Sequence, residues 1–189
     1  MSQPRVAGAI DSYLPTYDVR SAHELEVHAP ASVVYRAARD LDIGRSLPVT
    51  ALFAIRALPH LLTGKARPSR SITLESILEA GFTMLEENAP REIVMGAVGK
   101  FWRPDSGMIR IGPGEFRDFD TPGFAKGVLA FTVEERDDTR SLLATETRVA
   151  CTDSSARRKF SLYWRAIGPF SGLIRRLMLN EVKRAAEGA

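Results

Sequence analysis

The chain has 189 residues, of which 44% are apolar and 26% charged, with a formal net charge of +3. That size and apolar share suit one domain burying about two-thirds of its unfolded surface; they exclude wholesale disorder and any need for a disulfide or metal staple. No apolar run approaches the roughly 20 residues that span a bilayer, and the N-terminus lacks the basic-then-apolar order of a signal peptide, so a cytoplasmic location is expected.

The charge is uneven. Residues 150–189 hold 8 basic and 3 acidic side chains, whereas residues 1–149 hold 18 and 20. A basic outer face on a C-terminal helix accounts for this, and peripheral contact with an anionic membrane is the alternative. The basic residues come mostly in pairs, without a compact run, so no nucleic-acid partner is expected. Cys151 is the one cysteine, which excludes an intrachain disulfide. It reads as a small structural residue, because a nucleophile needs a positioned base that no spacing supplies.

Residues 1–20 mix Pro, Gly, Asp and Tyr without a period and read as a loosely ordered arm; residues 21–189 read as one domain. AHELEVH, residues 22–28, alternates as a strand, with Leu25 and Val27 on one face. Pro30 then suits a helix start. Val33, Val34, Ala37, Ala38 and Leu41 form the apolar stripe of that helix, over 31–40. Pro48 begins a second expected helix through VTALFAIRAL, ended or bent by Pro59, and 64–70 reads as a loop. Ser71 or Thr73 caps a short helix over 74–80, closed by Gly81.

Strand patterns follow. Residues 82–87 and 92–102 flank the turn Asn88-Ala89-Pro90-Arg91. Both faces of EIVMGAVGKFW are largely apolar, and its two glycines suit bends or close backbone approach. Short strands are expected at 108–112 and 115–119. Residues 125–134 and 141–151 alternate on either side of a polar loop, the strongest hairpin of the chain. Asp153 or Ser154 then caps a long helical region. Its expected apolar stripe runs through Ala156, Phe160, Tyr163, Trp164 and Ile167, then Phe170, Leu173, Ile174, Leu177 and Met178, with Ser171, Arg175 and Arg176 away from most of it. Pro169 must kink this helix or begin a second one.

The order is strand, helices, a run of antiparallel strands and a C-terminal helix. This implies an α+β fold in which a curved antiparallel sheet is covered by the long helix. HELEVHAPASVVYRAARDLD resembles the first strand and Pro-started helix of the START-like, or SRPBCC, superfamily with its helix-grip fold. GAVGKFW, FRDFDTPGFAKGVLAFTVEE and LLATETRVACTD are similar to the middle and late strands of its uncharacterised and polyketide-cyclase-like members. The likeness covers residues 22–185. It implies an internal cavity for a small hydrophobic or amphipathic molecule. The alternative it implies is a cyclase-, dehydratase- or hydrolase-type enzyme acting on an apolar or aromatic substrate. No catalytic signature of the family is present to carry over.

Candidate ligand contacts follow from the strands and the helix. Glu146 and Arg148 share one face of TETRV, about 7 Å apart along the strand. They read as a structural ion pair, as an anchor for a carboxylate or phenolate, or as a proton-transfer pair; Arg148 itself is a poor acid or base. Which face of 142–151 points inward is open. Lys126 interrupts an apolar strand and either snorkels or meets an anion. Met95, Trp102, Phe131, Phe160, Tyr163 and Trp164 are the aromatic and soft set, read as core or as the wall of a partly hollow pocket. His23, His28 and His60 have no zinc spacing, and no P-loop, dinucleotide fingerprint or nucleophile elbow occurs. No metal or cofactor is expected.

Overall fold

The computed structural model describes residues 8–42, 44 and 71–189. The expected helix from Pro48, the loop 64–70 and His60 lie outside these residues. The described elements are α1 (Ile10–Tyr13), β1 (Val19–Val27), α2 (Ala31–Arg39), α3 (Leu74–Glu79), β2 (Thr83–Asn88), β3 (Glu92–Gly99), α4 (Pro113–Asp118), β4 (Ala125–Asp137), β5 (Arg140–Cys151) and α5 (Ser154–Glu187). The strands form one curved antiparallel sheet in the order β1-β5-β4-β3-β2, with α5 laid across it: a helix-grip arrangement.

The sheet has two covered faces. On the inner face, Ile93, Met95, Phe131, Val133 and Leu143 pack with Val34 and Ala38 of α2 and with Met178, Leu179 and Val182 of α5. On the outer face, Val94, Val98, Val128 and Ala130 pack with Phe116 of α4 and with Ile10, Tyr13 and Leu14 of the N-terminal segment. This double burial is why β3 is apolar at consecutive positions rather than alternate ones.

Local chemistry explains most boundaries. Thr73 caps α3 through a reciprocal pair with Ser76, and Gly81 follows with φ of +112°. The Asp153 carboxylate caps α5 by accepting from the N–H groups of Ser155 (2.7 Å) and Ala156 (2.9 Å), and it also accepts from Gly123. Gly96 and Gly99 are sites of close approach. A Cβ at Gly96 would stand 2.7 Å from Leu85 and 2.8 Å from Phe116, and one at Gly99 2.8 Å from the Ser106 carbonyl.

Four expectations are corrected. Residues 115–119 are not a strand: 113–118 form α4. Pro113 fits a first helical position, and the Glu115 carboxylate reaches back to the Gly112 N–H (2.8 Å). The second strand stops at Gly99 instead of residue 102. There the chain reverses through Lys100 N–H to Ser106 O (2.7 Å), and 108–112 makes only the bridge Ile109 to Val98. Of the two outcomes expected at Pro169, α5 runs through it as one helix with no second start; the correction concerns its stripe. Its buried face in the second half is Arg175, Met178, Leu179, Val182 and Ala186, while Phe170 and Leu173 are 49% and 47% exposed. The stripe expected there was thus displaced by a fraction of a turn, and Arg175 faces the sheet.

Candidate functional site

The register decides which way β5 faces. Glu146 and Arg148 lie opposite Ala130 and Val128 of the outer face, so neither looks into the space under α5. Glu146 is fully buried and Arg148 is 2% exposed. Arg20 donates to both carboxylate oxygens of Glu146, from Nε at 2.7 Å and Nη2 at 2.8 Å. Arg148 Nε donates to Glu146 Oε1 at 2.6 Å. Arg148 Nη1 donates to Asp11 Oδ1 (2.7 Å) and to the Leu14 carbonyl (3.0 Å). The Arg148 guanidinium also covers the Tyr17 ring at 4.8 Å.

Burial alone would raise the Glu146 carboxyl, but the hydrogen bonds from Arg20 and Arg148 outweigh it and hold it low. Four charged side chains from α1, β1 and β5 thus latch the N-terminal segment to the sheet. The anion that Arg148 anchors is the protein's own Asp11.

Lys126 is on the same outer face. Its Nζ donates to the carbonyls of Phe116 (3.2 Å) and Arg117 (2.8 Å) at the end of α4. Lys126, Glu146 and Arg148 are therefore separated by the sheet from the other candidates.

Those others fall into two apolar groups on the inner face. Met95 and Phe131 belong to the group under the second half of α5. Trp102, Phe160, Tyr163 and Trp164 gather under the first half with Ala125, Val149 and Phe101. Phe160 is the buried hub. Trp164 stacks on it at 5.8 Å, Tyr163 tilts against it at 5.9 Å and Phe101 meets it edge-on at 6.4 Å. Gly168 leaves room for the Trp164 indole, to which a Cβ there would come within 3.0 Å. Cys151 borders this group. Burial, with the Asp18 carboxylate adding to it, pushes its thiol up to about 12, so it is not a nucleophile at neutral pH.

Between the two apolar groups is a polar island that the sequence reading missed. In register, Ser21 faces Thr147 and His23 faces Thr145 across β1 and β5. Above them, Arg175 of α5 is 7% exposed. Its Nε donates to Thr147 Oγ1 (3.0 Å) and its Nη1 to Ser171 Oγ (2.8 Å). Among the described residues no carboxylate acts on it: burial brings the guanidinium down to about 10, still charged at neutral pH.

His23 Nε2 is buried without a hydrogen-bond partner. The ring touches α5 at Gly172, where a Cβ would stand 3.5 Å from that nitrogen. Burial first, then the charges of Arg176 and Arg175, push its pKa down. The missed signal was spacing. Arg175 precedes Met178, Leu179 and Val182 by three, four and seven residues, the intervals of one helix face.

A groove of ≈460 Å³ opens beside this island, between His23 and Leu25 of β1 and Arg176 and Leu179 of α5. A groove of ≈710 Å³ lies on the outer side, against Glu24, Glu92, Glu134 and Glu135. The smaller one is the candidate site, because it alone of the two is lined by α5, through Arg176, Leu179 and Asn180, and by His23 of the polar island.

No protein-family model and no curated protein matches the chain. Among solved structures, the Zhui aromatase/cyclase from Streptomyces sp. R1128 is similar at 14% sequence identity and a TM-score of 0.32, with 88% of this chain and 94% of that chain covered. At that distance the site rests on its own geometry.

Proposed function

We propose that this protein binds a small hydrophobic or amphipathic molecule in the space between the sheet and α5. One observation carries the reading. The aromatic group under the first half of α5 is unfinished: Phe101, Trp102, Tyr163 and Trp164 remain only partly buried around Phe160. A ligand laid on those rings removes from water apolar surface that the fold leaves wet. The groove beside His23 and Leu179 supports the same reading, since it is lined by β1 on one side and α5 on the other. So does the resemblance of the chain order to START-like proteins. The alternative of a cyclase, dehydratase or hydrolase loses Glu146 and Arg148 as reacting groups, because both are spent in the latch on the far side of the sheet.

Trp102 and Trp164 are the two tryptophans of the chain, and both stand in the aromatic group. Their fluorescence reports on it directly. Titration with 2-naphthol or 1-dodecanol is expected to change the emission saturably, and solvent extraction of the natively purified protein to release a small molecule. Unchanged emission with both probes, together with an empty extract, overturns the reading.

A further inference from the structure

Arg175 presents a problem of charge. A guanidinium removed from water needs an anionic partner, or its desolvation goes uncompensated. Among the described residues no carboxylate pairs with it. The remaining segments, 1–7 and 43 with 45–70, contain no Asp or Glu at all. The chain therefore has no carboxylate left to offer. Elsewhere it pairs its buried charges: Arg148 has Glu146 and Asp11, and Glu146 has Arg20 besides. The two hydroxyls on Arg175 orient the guanidinium without neutralising it. Five N–H donors project from that group, and these hydroxyls accept from Nε and Nη1.

Two neighbouring groups add to this, while Glu24 is, among the described residues, the one acid lining the adjoining groove. His23 Nε2 is a second buried polar atom with nothing to bond, and it faces Gly172, one helical turn before Arg175 and on the same side of α5. Arg176 stands exposed on the rim of the adjoining groove, where it raises the local concentration of anions. Apolar side chains continue in both directions, to Leu25, Ile174 and Met178 on one side and to Phe160 and Trp164 on the other.

We propose that Arg175, oriented by Thr147 and Ser171 and seconded by His23, is an anchor for the carboxylate of an amphipathic ligand whose apolar body lies between the sheet and α5. One buried cation matches one negative charge, and a carboxylate accepts two parallel N–H bonds from the guanidinium fork. The Nε2 of His23, as an N–H, supplies a further donor. The proposal rests on the ligand-binding reading above and specifies the class of molecule.

The test uses pairs of probes with the same apolar body and a carboxylate or a hydroxyl head: dodecanoate against 1-dodecanol, and 2-naphthoate against 2-naphthol, titrated into the full chain by tryptophan fluorescence and calorimetry. The carboxylate of at least one pair is expected to bind tenfold or more tighter than its alcohol. Arg175→Met is expected to abolish that preference, so that each acid binds no tighter than its alcohol. Arg175→Lys keeps the charge and loses the fork, and retains a reduced preference. If Arg175→Met does not fold by circular dichroism, Arg175→Gln, which keeps amide donors and removes the charge, replaces it. Equal binding of acid and alcohol, or a preference that survives loss of the charge, overturns the anchor and leaves the ligand-binding reading standing. Binding of none of the four probes overturns both.

Discussion

Glu146 shows how much one side chain holds. Two guanidinium groups converge on a carboxylate fully removed from solvent. Glu146→Gln leaves Arg148 buried with Asp11 alone as acidic partner, and Arg20 with none of its two charge-assisted bonds to that carboxylate. Arg20 is partly solvated, so the lower end of the range for breaking a buried pair applies, about 3 kcal/mol, read as a lower urea midpoint. The same carboxyl sets an acid limit. Its folded pKa lies below the ordinary value of 4.5, so the unfolded chain takes up that proton more readily. The stabilisation is complete above that ordinary value and is lost as pH falls below it, through the folded pKa. Urea midpoints between about pH 6 and about pH 3 should therefore drop steeply in the parent chain, and less so in Glu146→Gln.

His23 is the opposite case. Its buried nitrogen has no bond to lose, so His23→Phe is expected to melt at or above the parent temperature. A lower melting temperature in that variant would mean that the imidazole has a stabilising partner after all.

At the level of elements, Gly96 of β3 decides how closely α4 and β2 approach the outer face. Leu85 can yield at its tip, but Phe116 is fully enclosed. Gly96→Ala is therefore expected to cost about 1–3 kcal/mol in equilibrium denaturation, the range for overpacking a filled core.

Elements written in period were legible in the sequence. The β4–β5 hairpin, β1 and the first half of α5 follow from alternation, helical spacing and the Asp153 cap. Elements decided by local capping were not: EFRDF alternates like a strand, and Pro113 with the hydrogen bond from Gly112 N–H to Glu115 starts a helix there instead. The candidate site was half legible. Its aromatic residues share a face by spacing, but the expected stripe set Arg175 apart from them, and the structure buries it on that face. The orientation of Glu146 and Arg148 was beyond reach. Their partners Arg20 and Asp11 are 126 and 137 residues away in the chain, and alternation says which residues share a face without saying what covers it.

For the molecule as a whole, the sheet is a middle layer. Residues 10–14 and α4 close one side, while α2, α3 and α5 close the other. The N-terminal segment is thus structural cover, fastened by Asp11 and the Leu14 carbonyl to Arg148 and by the Tyr13 hydroxyl to the Leu85 carbonyl (2.7 Å). Deleting residues 1–18 is expected to bare Val94, Val128 and Ala130. Stronger fluorescence of a hydrophobic dye, a lower melting temperature and concentration-dependent aggregation are the readouts. Unchanged dye binding and melting would show that the segment contributes nothing to the cover.

The alternation along β5 puts threonines on the side of the helix and an acid with an arginine on the side of the latch. Were the hairpin to zip up one residue out of step, the two charges would be thrust among aromatic rings and the threonines would meet no counterparts. The penalty falls when α5 docks, because Phe160, Tyr163 and Trp164 are its own side chains. The latch and the aromatic group thus demand one and the same alignment of the hairpin, each from its own side of the sheet.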